Sequence, residues 1–206
     1  MPVRVSPLSW LVLVLLVLAW SGFEPRDRFT WLLEVAPVLL GLPILLATRH
    51  AFPLTPLAYG LLALHAVILM VGGHYTYAEM PLFNWLRDNF DLARNHYDRL
   101  GHVAQGFFPA IVVREILLRR SPLERGKWLF FMVTSVCLAI SACYEMLEWW
   151  VAVASGDEAV AFLATQGDVW DTQWDMFLAM LGALCSQLLL GNWHDRQLSH
   201  LHQDRS

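Results

Sequence analysis

Six apolar segments constrain this chain more than any other feature of its sequence. Most of them are apolar around the whole circumference of a helix, which suits a helix in lipid rather than one with a face in water. With 57% hydrophobic and only 16% charged residues, the chain also lacks the polar side chains that a soluble domain needs on its surface. The sequence therefore predicts an all-α, polytopic membrane helical bundle with about six transmembrane helices, at residues 7–22, 31–47, 54–73, 103–118, 128–154 and 174–190.

The distribution of basic residues predicts how these helices are oriented. Nine of the 14 lysines and arginines lie in segments that are cytoplasmic if the N-terminus is inside, with the densest group at residues 119–127. The last outer loop, residues 155–173, has none. Because cytoplasmic loops carry excess Lys and Arg, the chain is predicted to be N-in and C-in. A single domain covers residues 1–191, with a possible interfacial helix at 81–94, and residues 192–206 form a short polar cytoplasmic tail.

The first apolar segment allows a second interpretation, a cleaved signal peptide. Arg4 forms a weak basic region before the apolar core, and Ala19 and Ser21 are small enough to flank a cleavage site. Trp20 and the bulky residues after Gly22 are unfavourable at such a site. A retained helix is the preferred interpretation, because the apolar core approaches the length of a membrane span.

Polar residues gather where the third span is predicted to end and the fourth to begin. On a helix that starts near residue 95, Asn95, Arg99 and His102 lie on one face, and Gln105 extends this line into the membrane. This stripe has two interpretations, hydrogen-bonded helix packing and a functional site. The other polar candidates in the same region are His74, Tyr75, Tyr77 and His96.

The fifth and sixth spans carry acidic residues near the same predicted outer face. Glu145 and Glu148 share one face of the fifth span, and a carboxylate inside a membrane normally faces the bundle interior. Glu145 is interpreted either as functional or as half of a structural pair with Arg99. Helix capping accounts for only some of the three acidic residues around the start of the sixth span, Asp168, Asp171 and Asp175.

The predicted topology brings His, Glu and Asp from four distant segments to one membrane depth at the outer face. These residue types suit zinc, iron or manganese and equally suit acid/base chemistry, although no HExxH motif is present. The inner halves of the spans show no matching polar residues to complete a path across the membrane. Glu148 or Asp175 is the candidate general base, and Arg99 is the candidate anion clamp. The candidate metal ligands are His74, His96, His102 and Glu145.

Three functional hypotheses are compatible with this pattern. The first is an outward-facing, metal-dependent or acid/base enzyme that acts on a lipid or cell-envelope substrate. The second is a small proton-coupled transporter or binding protein, and the third is a structural or assembly protein of the membrane. The expected partners are the lipid bilayer and a lipid or envelope small molecule, and a homo-oligomer stays open because lipid and a second copy favour the same apolar surface.

Two further classes of function and chemistry are disfavoured. A net charge of −4, without any basic run interleaved with aromatic residues, argues against a nucleic-acid partner. The three cysteines lie inside apolar segments without CxxC spacing, so they are predicted to act as small hydrophobic residues.

Three stretches of the chain resemble a known family. They are residues 96–107, which begin His96-Tyr97-Asp98, residues 145–149, which begin Glu145-Met146-Leu147, and residues 167–176. Through them, nearly the whole chain resembles the YjdF-like bacterial inner-membrane proteins, a multi-pass family of unknown function. The resemblance implies a location in the bacterial inner membrane and implies no particular chemistry.

Overall fold

The computed structural model describes residues 6–155 and 163–203, and within this part every regular element is helical. This confirms the all-α class and the helical membrane bundle. A short 3-10 helix, Tyr77–Glu79, separates the third and fourth α-helices. The α-helices with described bounds are α1 (Pro7–Gly22), α2 (Arg28–Thr48), α3 (Pro56–Tyr75), α4 (Pro81–Phe90), α5 (Tyr97–Arg120), α6 (Lys127–Ser155) and α7 (Asp171–Gln203).

Local capping signals set where the first three helices begin. The Oγ of Ser6 accepts the Ser9 amide at 3.2 Å, and Oδ1 of Asp27 accepts the Thr30 amide at 2.6 Å. Thr55 caps α3 in the same way through the Ala58 amide, at 3.3 Å. These side chains accept hydrogen bonds from amides that have no partner inside the helix. A proline in the first turn of α1 and of α3 is compatible with the helix because that position needs no amide donor.

Four helices are long and apolar enough to cross a membrane, as judged by length and composition: α2, α3, α6 and α7. Helix α1 is apolar but has only 16 residues. Helix α5 has 24 residues and carries charged side chains near both ends. The count of six spans and the N-in/C-in orientation therefore stay predictions. Following that orientation, we call the end of the bundle with Gly22, Tyr75 and the start of α7 the outer end, and the opposite end the inner end.

Helix α5 lies at the centre of the bundle, packed against α3, α6 and α7, while α1 and α2 pack on α3. The most extensive of these contacts is between α5 and α7. A Cβ atom at Gly106 of α5 would collide with the carbonyl of Ala179, and one at Gly182 of α7 would collide with the carbonyl of Val103. The two backbones approach this closely because small residues face each other, as is common between membrane helices.

Two segments differ from the sequence expectation in extent. Helix α7 continues to Gln203 instead of giving way to a separate tail at residue 192, and His194 on this extension is fully buried. The extension is held to the bundle by side-chain hydrogen bonds, including one from the Leu57 amide to Gln197 at 2.9 Å. Helix α4 ends at Phe90, whereas the expected interfacial helix extended to residue 94. It has no buried residues and exposes Leu82, Trp85 and Phe90, and its interfacial position stays a prediction.

Candidate functional site

A buried histidine surrounded by carboxylates lies at the outer end of the bundle. Nε2 of His102 is 3.5 Å from Oδ1 of Asp98 and 3.8 Å from Oδ2 of Asp175, while Nδ1 is 3.8 Å from Oε1 of Glu145. Glu148 completes the group, which we call the His102 cluster: Asp98, His102, Glu145, Glu148 and Asp175. Two overlapping sets of ligand atoms, one with Asp98 and Asp175 and one with the two glutamates, each lie within 4.8 Å of one another around His102.

Helical periodicity places these side chains together. Asp98, His102 and Gln105 follow one another on a single face of α5. Oε1 of Gln105 lies 3.2 Å from Nδ1 of His102. In the tautomer with the proton on Nδ1, the ring donates to Gln105 and its Nε2 lone pair faces Asp98 and Asp175. A second partner that fixes the ring in this way is typical of metal-ligating histidines.

Two carboxylates of the cluster have oxygen atoms without a hydrogen-bond partner. They are Oε1 of Glu145 and Oδ1 of Asp175, and the two residues are only 8% and 3% exposed. A buried carboxylate oxygen without a donor is unfavourable, because its lost hydration is not replaced. A proton or a cation at this position removes the deficit, so the cluster has the chemistry of a cation or proton site.

The nearby arginines do not supply the missing positive charge to Glu145 and Asp175. Arg94 is 7% exposed and binds Asp171, the carbonyl oxygen of Ala164 at 3.1 Å, and Asp98 at 3.3 Å. Arg99 donates to Asp168 at 2.5 Å. These ion pairs attach the loop before α7 to the start of α5. Among the described residues, Glu145 and Asp175 form no ion pair with an arginine or lysine, and both face His102.

Two loop residues beside the cluster have altered proton affinities. The amide of Trp170 donates to Asp168 at 2.9 Å and, together with Arg99, holds the pKa of this carboxyl below its usual value. Burial lowers the pKa of His96, and Arg94 and Arg99 lower it further. The His96 ring is therefore neutral at neutral pH, and Asp168 is ionised.

The structure brings some of the predicted site residues together and leaves others apart. His102, Glu145, Glu148 and Asp175 form one cluster with Gln105 beside it, and Arg99, Asp168 and Asp171 form the adjoining ion pairs. Arg99 therefore pairs with Asp168 and not with Glu145. Among the described residues, the two ligand sets around His102 include neither His74 nor His96.

The remaining candidates organise the surrounding structure. His74 contacts the Ser21 carbonyl through Nδ1 at 3.1 Å, and its ring packs against those of Trp20 and Tyr75. Asn95 is fully buried, and its side chain accepts the Tyr97 amide and donates to the Met80 carbonyl. The ring of Tyr77 packs against Gly72 and Gly101, where a Cβ atom would overlap it.

Sequence reasoning missed two acidic residues at the outer end. Asp98 lies one helical turn before His102, and Glu34 is a carboxylate in α2 that is only 4% exposed. The signal was present for both: Asp98 follows the periodicity that selected Arg99 and His102, and Glu34 is an acidic residue inside a predicted span.

Sequence reasoning also predicted that the inner halves lack matching polar residues, and this was wrong. Glu115 and His194 are both fully buried at the inner end. Nε2 of His194 lies 3.1 Å from Oε2 of Glu115, and its Nδ1 accepts a hydrogen bond from Arg114 at 2.9 Å. From the sequence, Arg114 serves only as a signal of orientation, and Glu115 is assigned no role.

A cavity of about 730 Å³ extends from the His102 cluster toward the inner end. Asp98, His102 and Glu148 form part of its wall at the outer end, and Pro7 and Arg49 mark its inner end. The wall between these positions is mainly apolar. The cluster is therefore in contact with a space large enough for a small organic ligand, for which roughly 300–1,000 Å³ is typical.

These features define a class: an integral membrane protein of helical fold, with a buried acidic and histidine cluster beside an intramembrane cavity. A family model described as "Predicted membrane protein (DUF2238)" matches residues 6–196. The chain is 52% identical over 183 residues to the inner membrane protein YjdF of Escherichia coli (strain K12). The aligned region covers 89% of this chain and 88% of that protein. No solved structure matches the chain. The chain belongs to the DUF2238 family and is a protein of the bacterial inner membrane.

Proposed function

We propose that this protein is a metal-dependent membrane enzyme that acts on a lipid or envelope substrate, with the His102 cluster as its metal centre. One observation carries the proposal: Glu145 and Asp175 each have a buried oxygen without a hydrogen-bond partner, and among the described residues both face His102 without an arginine or lysine partner. A divalent cation bound there neutralises the excess carboxylate charge and replaces the missing hydrogen bonds.

The proposal assigns the residues according to their positions. Asp98, His102 and Asp175 are the ligands, because they come from the tightly packed α5 and α7. Glu145 and Glu148 lie on the other side of His102, where one of them accepts a proton as general base. A metal ion bound by such ligands activates water or polarises a carbonyl or phosphoryl oxygen. Arg99 is occupied by Asp168, so in this proposal it positions the loop and does not clamp an anion.

Elemental mass spectrometry on protein purified in mild detergent tests the metal centre. We expect close to one zinc, iron or manganese ion per chain in the wild type and little metal in His102→Ala. Asp175→Asn, which changes a second assigned ligand, is expected to retain less metal than the wild type. His74→Ala is the matched control, because this histidine is at the same end of the bundle but outside the ligand sets.

Two results would overturn the proposal. The first is a wild-type protein that binds no transition metal after incubation with each of the three ions. The second is metal content in folded His102→Ala equal to that of the wild type. Thermal unfolding of each variant in the same detergent separates loss of the site from loss of the fold.

Proton-coupled transport is the second candidate, and the inner polar network is the observation that favours it. Polar contacts join α5 to α7 at both ends of the bundle: His102 with Asp175 at the outer end, and Glu115 with His194 at the inner end. Against this candidate, the α5–α7 contact between them is backbone against backbone at Gly106 and Gly182. Proton uptake by proteoliposomes that is abolished in Glu145→Gln would favour transport over the metalloenzyme.

A further inference from the structure

The cavity beside the His102 cluster is built from single faces of several helices. Its α2 wall runs from Glu34 through Val38, Leu42 and Leu45 to Arg49, with the three- and four-residue spacing of one helix face. The 15 steps along the chain from Glu34 to Arg49 correspond to about 22 Å along a helix at 1.5 Å per residue. This is most of the hydrocarbon thickness of a bilayer, about 30 Å. The cavity is therefore a long channel with a polar outer end and an apolar body.

Between α2 and α6, the wall of this cavity is exposed at the surface of the bundle. Helix α2 packs on α3, whereas α6 packs on α5 and α7. At the outer end, the two helices are joined by the Tyr144 hydroxyl, which donates to the Leu33 carbonyl at 3.4 Å. Further inward, Leu46 of α2 and Ile140 of α6 both line the cavity and are 38% and 43% exposed. A hydrocarbon chain can therefore enter sideways from the lipid without crossing a polar surface.

We propose that this cavity holds one hydrocarbon chain of an amphiphilic lipid, with the polar end of the lipid against the His102 cluster. The apolar lining along α2 and the lateral opening support the position of the hydrocarbon chain, since a cavity open to the bilayer at this depth is in contact with acyl chains. The identity of the polar end rests on the function proposed above; the position of the chain does not.

The charge of the cluster determines which polar end fits. Three carboxylates line the outer end of the cavity, those of Glu34, Asp98 and Glu148. A free anionic group is repelled there, whereas a hydroxyl-bearing group donates to these oxygens or binds a metal held by them. His65 in the α3 wall has an unpartnered Nε2, which can bond to an ester or hydroxyl oxygen of the same ligand. The occupant is therefore a neutral, hydroxyl-bearing lipid with one chain in the cavity.

Gly41 in α2 provides a direct way to block this cavity. It lines the cavity, and a Cβ atom built on it has no other atom within 4 Å. A large side chain at this position therefore starts from a Cβ atom that meets no neighbour and extends into the channel. Gly41→Trp is the blocking variant and Gly41→Leu is a smaller one. The matched control is Leu40→Trp, because Leu40 is the adjacent residue, is 68% exposed and does not line the cavity.

The test is photolabelling of the full chain in lipid nanodiscs with a monoacylglycerol that carries a diazirine in its chain, followed by mass-spectrometric mapping. We expect saturable labelling of the α2 and α3 walls, such as Leu42 and Leu62. This labelling should fall at least tenfold in Gly41→Trp, fall by less in Gly41→Leu and persist in Leu40→Trp. Competition by unlabelled monoacylglycerol should be at least tenfold stronger than competition by a fatty acid of equal chain length.

Specific outcomes overturn the proposal. The hydrocarbon chain does not bind in the cavity if labelling of the walls is unchanged in folded Gly41→Trp. The same conclusion follows if labelling is confined to exposed residues such as Leu188 and Leu189. Competition by the fatty acid that equals competition by the monoacylglycerol would show that the assignment of a neutral, hydroxyl-bearing polar end is wrong. Metal content measured on the same samples keeps this proposal distinct from the metal centre. Gly41-dependent labelling of a metal-free protein supports the lipid site and rejects the metalloenzyme.

Discussion

Replacing Glu115 with alanine tests whether the inner polar network stabilises the fold. Glu115 is fully buried, and its carboxylate accepts hydrogen bonds from three residues on different elements. The Thr55 amide and hydroxyl reach it at 3.1 and 2.8 Å, Nε2 of His194 at 3.1 Å and Arg119 at 2.5 Å. One side chain thus joins the loop before α3 to α5 and α7.

The size of the expected effect follows from the donors that lose their acceptor. In Glu115→Ala, the Thr55 amide and the His194 ring become buried donors without partners, at about 1–3 kcal/mol each. Arg119 loses its ionic partner but keeps the Pro53 carbonyl at 2.8 Å, which limits its share. Removing one partner of a buried ion pair typically costs about 3–5 kcal/mol, and the same range is expected here. Glu115→Gln retains one acceptor oxygen, so we expect a smaller loss of about 1–3 kcal/mol.

Equilibrium unfolding in mixed detergent and SDS micelles, followed by tryptophan fluorescence, measures these differences. The matched control is Glu124→Ala, an exposed acidic residue near the same end of the bundle, with an expected change within about 0.5 kcal/mol. A loss below about 1 kcal/mol in Glu115→Ala would refute the reasoning, because it would mean that the donors find other partners at little cost. An equal loss in Glu115→Gln and Glu115→Ala would show that the charge, and not the hydrogen-bond geometry, is responsible.

Three further predictions concern packing, ion pairing and pH. Gly106→Ala forces α5 away from the Ala179 carbonyl and should lower the free energy of unfolding by about 1–3 kcal/mol or more, whereas Gly191→Ala, with no atom within 4 Å of the new Cβ, should not lower it. Arg94→Lys replaces a buried guanidinium that binds Asp171 and the Ala164 carbonyl, so the thermal midpoint should fall although the charge is kept. Because the pKa of Asp168 lies below its usual 3.8, the stabilisation from this carboxylate is present above that pH and is lost as the pH falls through the lowered pKa. Pepsin cleavage at residues 163–170 should therefore increase below about pH 3.8 in the wild type, and Asp168→Asn should show a smaller increase over the same range, starting from faster cleavage.

The sequence predicted the helices well but made some of them too short. The predicted fourth span begins at residue 103, yet α5 begins at Tyr97, and α7 extends beyond the predicted end at residue 190. Hydropathy identifies only the apolar part of a helix. A span predicted from hydropathy therefore ends at the first run of polar residues. In this fold those polar residues continue the helix, because Asp98 and His194 find partners inside the bundle. Such partners come from other helices and cannot be read from the local sequence.

The candidate site could be predicted by membrane depth but not by direction around the bundle. His102, Glu145 and Asp175 were assigned to one depth from the topology, and the structure brings them together. His74 was assigned to a similar depth, but its side chain faces Ser21 and Trp20 of α1. Depth follows from the distance along each helix, whereas direction depends on how the helices are rotated against one another. That rotation follows from packing contacts such as Gly106 against Ala179.

The contrast between the two ends of α5 is the strongest argument that the outer end is the functional one. At the inner end, Arg114 pairs with Asp195 at 2.7 Å and with His194. Glu115 accepts hydrogen bonds from Thr55, Arg119 and His194. This network balances its charges, as expected of a structural connection between helices. At the outer end, the same helix presents His102 to carboxylates whose unpartnered oxygens are also buried. A fold that satisfies one buried network fully has the means to satisfy the other. The outer deficit therefore supports the ligand proposed above, and Asp98, His102 and Glu148 of the same cluster line the adjoining cavity.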